Sequence, residues 1–374
     1  MTPARAPIWT AQPTRFAGLS PGRARTALAL LALLLSACLL ALRSPSPPAV
    51  SGDPANRAED QADVVLYQTI VEQVRGGGDY YAVTAQALRS GDYPLRPFVT
   101  FRLPTLAAVQ ARLPEPGTVA LLYLLAAAVA FAWWTRLALA FGRAPPRFVA
   151  LLLLGGGMLV FVQAELRYFH EIWAGLLIAL SLALRRPGRW VEAVAFGLAA
   201  TLVRETAALY VGVMAAAAWI EGERREALGW TFAAGVLAVV VAAHALAVAQ
   251  VIRPLDPVSP GWAGMLGFGF FVRTMTLSTA LNLPPLWLAA PLVGLALFGW
   301  AAWADPLATR ALAMFAVYAV LLGMAGRADT FYWGLLVAGP LLIGLAFVPD
   351  AARDLLGAAT SGRRRRITVT RVVR

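Results

Sequence analysis

Residues 191–219, VEAVAFGLAATLVRETAALYVGVMAAAAW, form an apolar run that the charged pair Arg204-Glu205 interrupts in the middle. As a single helix this run would be roughly 43 Å long, and the hydrocarbon core of a bilayer is only ~30 Å thick. Arginine-rich connectors at 185–189 and 224–225 flank it, and such connectors face the cytoplasm. We therefore predict that the run enters the membrane and returns, as two segments of about thirteen residues that meet near Arg204-Glu205.

The composition of the chain is that of a membrane protein. Its 374 residues are 59% apolar and 14% charged, whereas soluble domains carry about 25% charged residues. The net charge is +12 and every basic residue is arginine, which raises the alternative of nucleic-acid binding. The arginines cluster between apolar runs, where the orientation signals of membrane proteins lie. We therefore predict no nucleic-acid partner.

Further apolar runs approach the ~20 residues that cross a bilayer. They occupy residues 26–42, 118–140, 148–164, 167–184, 230–252, 285–303, 311–325 and 331–348. Together with the two short segments they predict an all-α, polytopic transmembrane helix bundle of about ten segments, two of them short or re-entrant. The arginine-rich connectors predict that both termini are cytoplasmic.

This pattern divides the chain into five parts. They are a cytoplasmic N-terminal tail (1–25), a first transmembrane helix (26–42), an extracytoplasmic loop (43–117), a multi-helix transmembrane region (118–348) and a basic cytoplasmic tail (349–374). The 253–284 connector also lies on the outer side, and we expect it to hold a surface helix from Trp262 onward.

The extracytoplasmic loop carries a helical pattern. Apolar residues at 64, 67, 70, 71 and 74 recur on one face and predict an amphipathic helix. Asp63 is its expected N-cap and Gly76–Gly78 its end. Asp79 is the expected cap of a second helix that ends at Gly91. We expect both helices to lie on the membrane surface.

Four features of this loop carry a family resemblance. They are Asp63 with the Tyr67-x-x-Ile70 helix, GGGDYY at 76–81, DYPLRP at 92–97 and FRLPTL at 101–106. This order, after one helix and a cytoplasmic N-terminus, resembles the GT-C type of membrane glycosyltransferase, which includes bacterial aminoarabinose and mannosyl transferases. Many members carry a second acid directly after the first, whereas Val64 follows Asp63 here.

The resemblance implies an enzyme of the bacterial inner membrane. Such enzymes transfer a sugar from a polyprenyl-phosphate donor to an acceptor at the extracytoplasmic face, with a first-loop acid as the catalytic base. The resemblance makes Asp63 the first catalytic candidate and Asp79 the second, although both residues are also expected helix caps. The expected partners are the lipid-linked donor and membrane lipids. No cofactor is predicted, a divalent metal stays open, and the oligomeric state is left undetermined.

Several charged residues are candidates for substrate binding. Arg96 and Arg102 suit bidentate contacts to a phosphate, or alternatively pair with Glu115 or Asp92 within the loop. Arg204 and Glu205 have two alternatives as well. They form a structural pair that locks the hairpin, or Arg204 binds the donor phosphate and Glu205 orients it.

Two further outer turns add candidates. In ELRYFHE, residues 165–171, Arg167 and His170 lie among glutamates that suit a metal, a proton relay or a solvated interfacial turn. Arg327, in GRADTFYW, adds another outer charge. The alternative function is a multi-pass transporter or lipid flippase, with Arg204-Glu205 and Arg327-Asp329 along its path. Transporters usually have short loops and paired repeats, so the long first loop favours the enzyme.

Overall fold

The computed structural model describes residues 7–46 and 62–361. Regular structure in these two ranges is helical, without a β-strand. The α-helices are α1 (Pro21–Cys38), α2 (Ala62–Arg75), α3 (Tyr80–Ser90), α4 (Thr105–Arg112), α5 (Glu115–Leu137), α6 (Ala144–Gly157), α7 (His170–Leu184), α8 (Val191–Val203), α9 (Ala208–Ile220), α10 (Arg224–Ala249), α11 (Gly267–Leu277), α12 (Leu286–Ala302), α13 (Pro306–Ala325), α14 (Leu335–Ala338) and α15 (Val348–Thr360). Shorter 3-10 helices are Arg15–Gly18, Leu39–Arg43, Phe98–Thr100, Ala164–Tyr168, Glu205–Ala207, Ala280–Asn282, Ala328–Gly334 and Leu341–Phe347.

Several helices are long and apolar enough to cross a membrane. Four qualify in the described ranges, namely Pro21–Arg43, α5, α10 and α13, and a fifth candidate is the bent pair Ala328–Ala338 and Leu341–Thr360. Shorter apolar helices are α6, α7, α8, Glu205–Ile220 and α12. The all-α fold is confirmed and the apolar helices support a membrane protein, while the total of about ten segments stays a prediction.

The helical hairpin predicted at 191–219 is present. Helices α8 and α9 have thirteen residues each, and Arg204 separates them with an extended backbone, φ −142° and ψ 109°. The flanks of the run contact each other, since an Nη of Arg185 lies 3.0 Å from an Oε of Glu221. The chain therefore returns to the end of the bundle from which it entered, and the Arg204 turn lies at the opposite end.

The charged connectors collect at two ends of the bundle. At one end, Arg185 and Arg310 bind Glu226, and both arginines are buried. At the other end, the first loop contacts two more of the predicted outer connectors. The N–H of Leu95 donates to the carbonyl of Pro257 at 3.0 Å, and Gln110 donates to the carbonyl of Arg167 at 2.7 Å.

A close backbone contact joins two further outer connectors. A Cβ added at Gly264 would lie 1.9 Å from the carbonyl oxygen of Gly326. Only glycine allows this approach, which holds the 326–333 turn against the 253–266 connector.

The first loop folds around a small core of its own. Val64, Ile70 and Val71 of α2 are buried together with Leu88 of α3, as the periodicity predicted. Helix α2 begins at Ala62, so Asp63 lies in its first turn and the prediction that Asp63 is the N-cap is wrong. One physical reason is that a carboxylate is also favourable within the first turn, where it faces unpaired N–H groups.

The second helix of the loop begins as predicted. The Asp79 carboxylate accepts from the N–H groups of Tyr81 and Ala82 at 3.1 and 3.0 Å. Gly77 follows the end of α2 with φ +92°, a conformation that glycine adopts without strain. Whether α2 and α3 lie on a membrane surface stays a prediction.

Three other segments differ from the sequence prediction. The 331–348 run is not one helix, because Pro340 lacks an N–H donor, and the flanking helices are bent by 55°. The expected surface helix after Trp262 begins at Gly267 and buries Phe270 and Phe271. Residues 349–360 belong to α15, where Asp350 accepts from backbone N–H groups of the N-terminal segment at 2.6–2.8 Å. The rest of the predicted tail, 362–374, lies outside the described residues.

Candidate functional site

A cavity lies where the outer connectors meet, with a volume of about 500 Å³. The first loop contributes residues between 63 and 102, the Arg204 turn contributes 204–206, and the remaining walls come from 259–262 and 321–333. Five of the site residues predicted from the sequence line it, namely Asp63, Arg102, Arg204, Glu205 and Arg327. The fold thus places charges from three separate segments around one space.

Asp63 is held at the cavity wall by a tyrosine. The hydroxyl of Tyr93 donates to Oδ1 of Asp63 at 2.9 Å. Burial raises the pKa of the Asp63 carboxyl above its ordinary value, while the Tyr93 hydrogen bond and the charge of Arg102 act in the opposite direction. The first turn of α2 also favours the ionised carboxylate. Asp63 is therefore an oriented acid that faces the cavity.

Arg102 differs from the other cavity arginines in its partners. Its Nε donates to the hydroxyl of Tyr67 at 3.1 Å, and no carboxylate of the described residues lies within ion-pair distance of it. By contrast, Arg204 and Arg327 each bind at least one carboxylate. Arg102 is therefore the cavity arginine with charge left for an anionic ligand.

Arg204 lies between two glutamates. Its Nε is 2.6 Å from Oε1 of Glu171, and its Nη1 contacts Oε1 of Glu205. Arg204 and Glu171 are both buried. Of the two alternatives for Arg204-Glu205, these contacts favour the structural pair, although both residues also line the cavity.

We expect Arg204→Ala to lower the folded yield and the thermal midpoint, because it leaves the Glu171 carboxyl buried without its ion-pair partner. Breaking a buried pair in this way costs about 3–5 kcal/mol. Size-exclusion chromatography and a thermal-unfolding assay in detergent measure the effect, with exposed Arg253→Ala as the control. Adding Glu171→Gln to Arg204→Ala should recover part of the loss. An Arg204→Ala variant as stable as the native protein would show that the ion pairs are dispensable.

The other predicted site residues lie outside the cavity lining. Asp79 is exposed and caps α3. Arg96 donates to the backbone carbonyl of Asp256 at 2.7 and 3.1 Å. Arg167 binds Glu115 and lies over the Tyr168 ring. His170 is 4% exposed, and its ring packs 4.9 Å from that of Tyr67.

The turn at 165–171 does not assemble a set of metal ligands. Across residues 7–46 and 62–361, no three His, Cys, Asp or Glu side chains form a group that could hold a metal ion. Glu165, His170 and Glu171 are therefore not such a group. Glu171 instead accepts a hydrogen bond from Nε of Arg204.

Sequence reasoning missed two cavity residues that carry unpartnered polar atoms, Thr206 and Trp333. Thr206 directly follows the charged pair, and Trp333 ends the GRADTFYW stretch, so both lie beside residues that were already candidates. No sequence pattern marks either residue as part of a site, because each reaches the cavity only where the 326–333 turn lies against the Arg204 turn.

Comparison of the chain with models of protein families, with curated proteins and with solved structures gave no match. The resemblance to membrane glycosyltransferases therefore rests on the first-loop residues quoted above, and the function below rests on the geometry of the cavity.

Proposed function

We propose that the cavity is the active site of a membrane glycosyltransferase, which transfers a sugar from a polyprenyl-phosphate donor to an acceptor hydroxyl. One observation carries the proposal. Asp63, an oriented carboxylate, and Arg102, a guanidinium without a carboxylate partner in the described chain, line the same cavity. These two groups are what such a transfer needs.

The proposed reaction has three parts. The acceptor oxygen attacks C1 of the sugar and forms the new glycosidic bond, while the bond between C1 and the phosphate oxygen breaks. Asp63 takes the proton of the acceptor hydroxyl as a general base. Arg102 stabilises the charge that develops on the departing lipid phosphate through its fork of N–H donors.

The apolar walls of the cavity fit a lipid chain. Leu66, Ile70 and Leu88 of the first loop line it, as do Leu321 and Ala325 near the end of α13. Since α13 is long and apolar enough to cross a membrane, the cavity adjoins a candidate transmembrane helix. A donor with an anionic head and a polyprenyl tail matches this combination of walls.

We place the cavity end on the extracytoplasmic face of a bacterial inner membrane, with both termini cytoplasmic. The arginine-rich 185–189 connector lies at the opposite end of the bundle, and such connectors face the cytoplasm. In a Cys38→Ala background, an impermeant thiol reagent added to intact cells should label Asp79→Cys and spare Arg189→Cys, both at exposed positions. Labelling of Arg189→Cys alone would reverse the orientation.

Equilibrium binding of polyprenyl phosphate to the purified protein tests the proposal. We expect saturable binding that soluble phosphate displaces only weakly, because the chain contributes apolar contacts. No binding, or binding equal to that of an uncharged polyprenol, would reject it. The alternative transporter or flippase moves the sugar lipid intact, so reconstituted vesicles distinguish the two by whether the sugar–phosphate bond is cleaved.

The activity of Tyr93→Phe should depend on pH differently from that of the native protein. The lost hydrogen bond favoured the ionised Asp63, so its removal raises the pKa of Asp63 further. A base must be ionised, and the acid limb of the pH–rate profile therefore moves to higher pH, while the plateau above it changes less. Tyr123→Phe, on the exposed face of α5, is the control. A uniformly lowered profile with an unmoved acid limb would contradict this role.

A further inference from the structure

Three residues of the cavity lining carry a buried polar atom that has no hydrogen-bond partner in the described structure. The atoms are Oε2 of Glu205, Oγ1 of Thr206 and Nε1 of Trp333. All three are buried atoms of residues that line the cavity, and Trp333 itself is 7% exposed. Buried polar atoms are normally paired, because leaving one unpaired costs about 1–3 kcal/mol. Each belongs to a residue of the cavity lining, so a group bound in the cavity is the candidate partner.

The chemistry of these atoms defines that ligand. A carboxylate oxygen only accepts a hydrogen bond, an indole N–H only donates one, and a threonine hydroxyl does both. A phosphate has no donor to offer Glu205, and a hydrocarbon chain serves none of the three. Neighbouring hydroxyl groups, which donate and accept, match the whole set.

The local charge sets a second limit. Arg204 supplies one positive charge beside these three residues. Glu171 and Glu205, both bound to Arg204, supply two negative charges. The charge of Arg204 is therefore already matched by two carboxylates, which would repel an anionic ligand at short range.

We propose that Glu205, Thr206 and Trp333 form a subsite for an uncharged, hydroxyl-rich group, the hexose of a lipid-linked donor or of an acceptor. This inference rests on the proposed function for the identity of the lipid. It assigns recognition of the sugar to the three residues beside Arg204. The phosphate is then held at Arg102, which has no carboxylate of the described residues within ion-pair distance.

Equilibrium binding to three probes tests the subsite. The first is polyprenyl phosphate, the second is its hexose-bearing phosphonate analogue, in which a methylene replaces the glycosidic oxygen, and the third is a free methyl hexoside. Thr206→Val and Trp333→Phe each remove one hydrogen bond, and we expect each to weaken binding of a hexose-bearing probe about two- to tenfold. Binding of polyprenyl phosphate should not change.

Thr118→Val is the matched control, because Thr118 also has a buried hydroxyl without a partner but lies outside the cavity lining. A loss confined to the phosphonate analogue assigns the subsite to the donor sugar. A loss confined to the methyl hexoside, measured with polyprenyl phosphate present, assigns it to the acceptor. Both results support the subsite.

Other outcomes overturn it. They are unchanged affinity for both hexose probes in Thr206→Val and Trp333→Phe, an equal loss for polyprenyl phosphate, or a hexuronate analogue that binds as tightly as the hexose. If the native protein binds neither lipid, the proposed function fails by itself, and the methyl hexoside then decides the subsite alone.

Discussion

Asp63→Asn is expected to lower the turnover number by ~10²-fold or more, the size of a lost general base, and to leave the protein folded. The amide has the same shape and still accepts the hydrogen bond from the Tyr93 hydroxyl through its oxygen. It cannot take a proton from the acceptor, so the loss falls on the chemical step. Donor affinity should change little, because Asp63 is not assigned to the phosphate.

The matched control for this substitution is Asp79→Asn. Asp79 is exposed, lies outside the cavity lining and caps α3, and asparagine caps a helix about as well as aspartate. This variant should retain both stability and turnover. If Asp79→Asn loses activity and Asp63→Asn keeps it, the second candidate from the sequence is the base and the cavity assignment fails.

Arg102→Gln is expected to weaken the binding of polyprenyl phosphate about 10- to 100-fold. Hydrogen bonds to a charged group contribute about 1.5–3 kcal/mol, which corresponds to that range. Glutamine can still donate to the Tyr67 hydroxyl that now accepts from Arg102, so the loop should keep its shape. Equilibrium binding in detergent measures the change, and an uncharged polyprenol should bind both proteins equally.

Two further substitutions sharpen the Arg102 result. Arg112→Gln removes an exposed arginine of the same loop whose guanidinium donates only to a backbone carbonyl, and it should bind polyprenyl phosphate like the native protein. Arg327→Gln removes a cavity arginine that Asp329 already pairs. A large loss in Arg327→Gln with none in Arg102→Gln would move the phosphate to Arg327.

The helical hairpin could be predicted from the sequence because its determinants are local. A charged pair inside an apolar run has a large cost in lipid wherever the rest of the chain lies, and the length of the run excluded a single crossing. The amphipathic face of α2 could likewise be predicted from the spacing of its apolar residues. A surface helix was expected from Trp262 onward, but the start of α11 at Gly267 and its burial were not predicted, and α15 was missed. Tertiary contacts define both helices. The first is buried under α13, and the second is held by backbone donors of the N-terminal segment.

The site residues also divide into those that the sequence indicates and those whose contacts only the fold defines. Asp63 and Arg102 carry a chemistry that the sequence displays, and the fold brings them to one cavity. Arg96 is as plausible as Arg102 in the sequence, but the 94–97 segment pairs with residues 257–259, a contact between distant segments that turns Arg96 toward Asp256. The ion pair of Arg204 with Glu171 joins the turn between α8 and α9 to α7, and the sequence could not show this contact either.

The central claim is that this cavity cleaves a lipid-linked sugar phosphate with Asp63 as the base, and a single-turnover experiment tests it most directly. The purified native protein and Asp63→Asn are loaded with a hexosyl polyprenyl phosphate and an acceptor hydroxyl compound, and the release of free polyprenyl phosphate is followed in time. The account predicts release by the native protein and a rate at least ~10²-fold lower in an Asp63→Asn variant that binds the donor equally well. Equal rates in the two proteins, or a native protein that binds and moves the donor without cleaving it, would contradict the account.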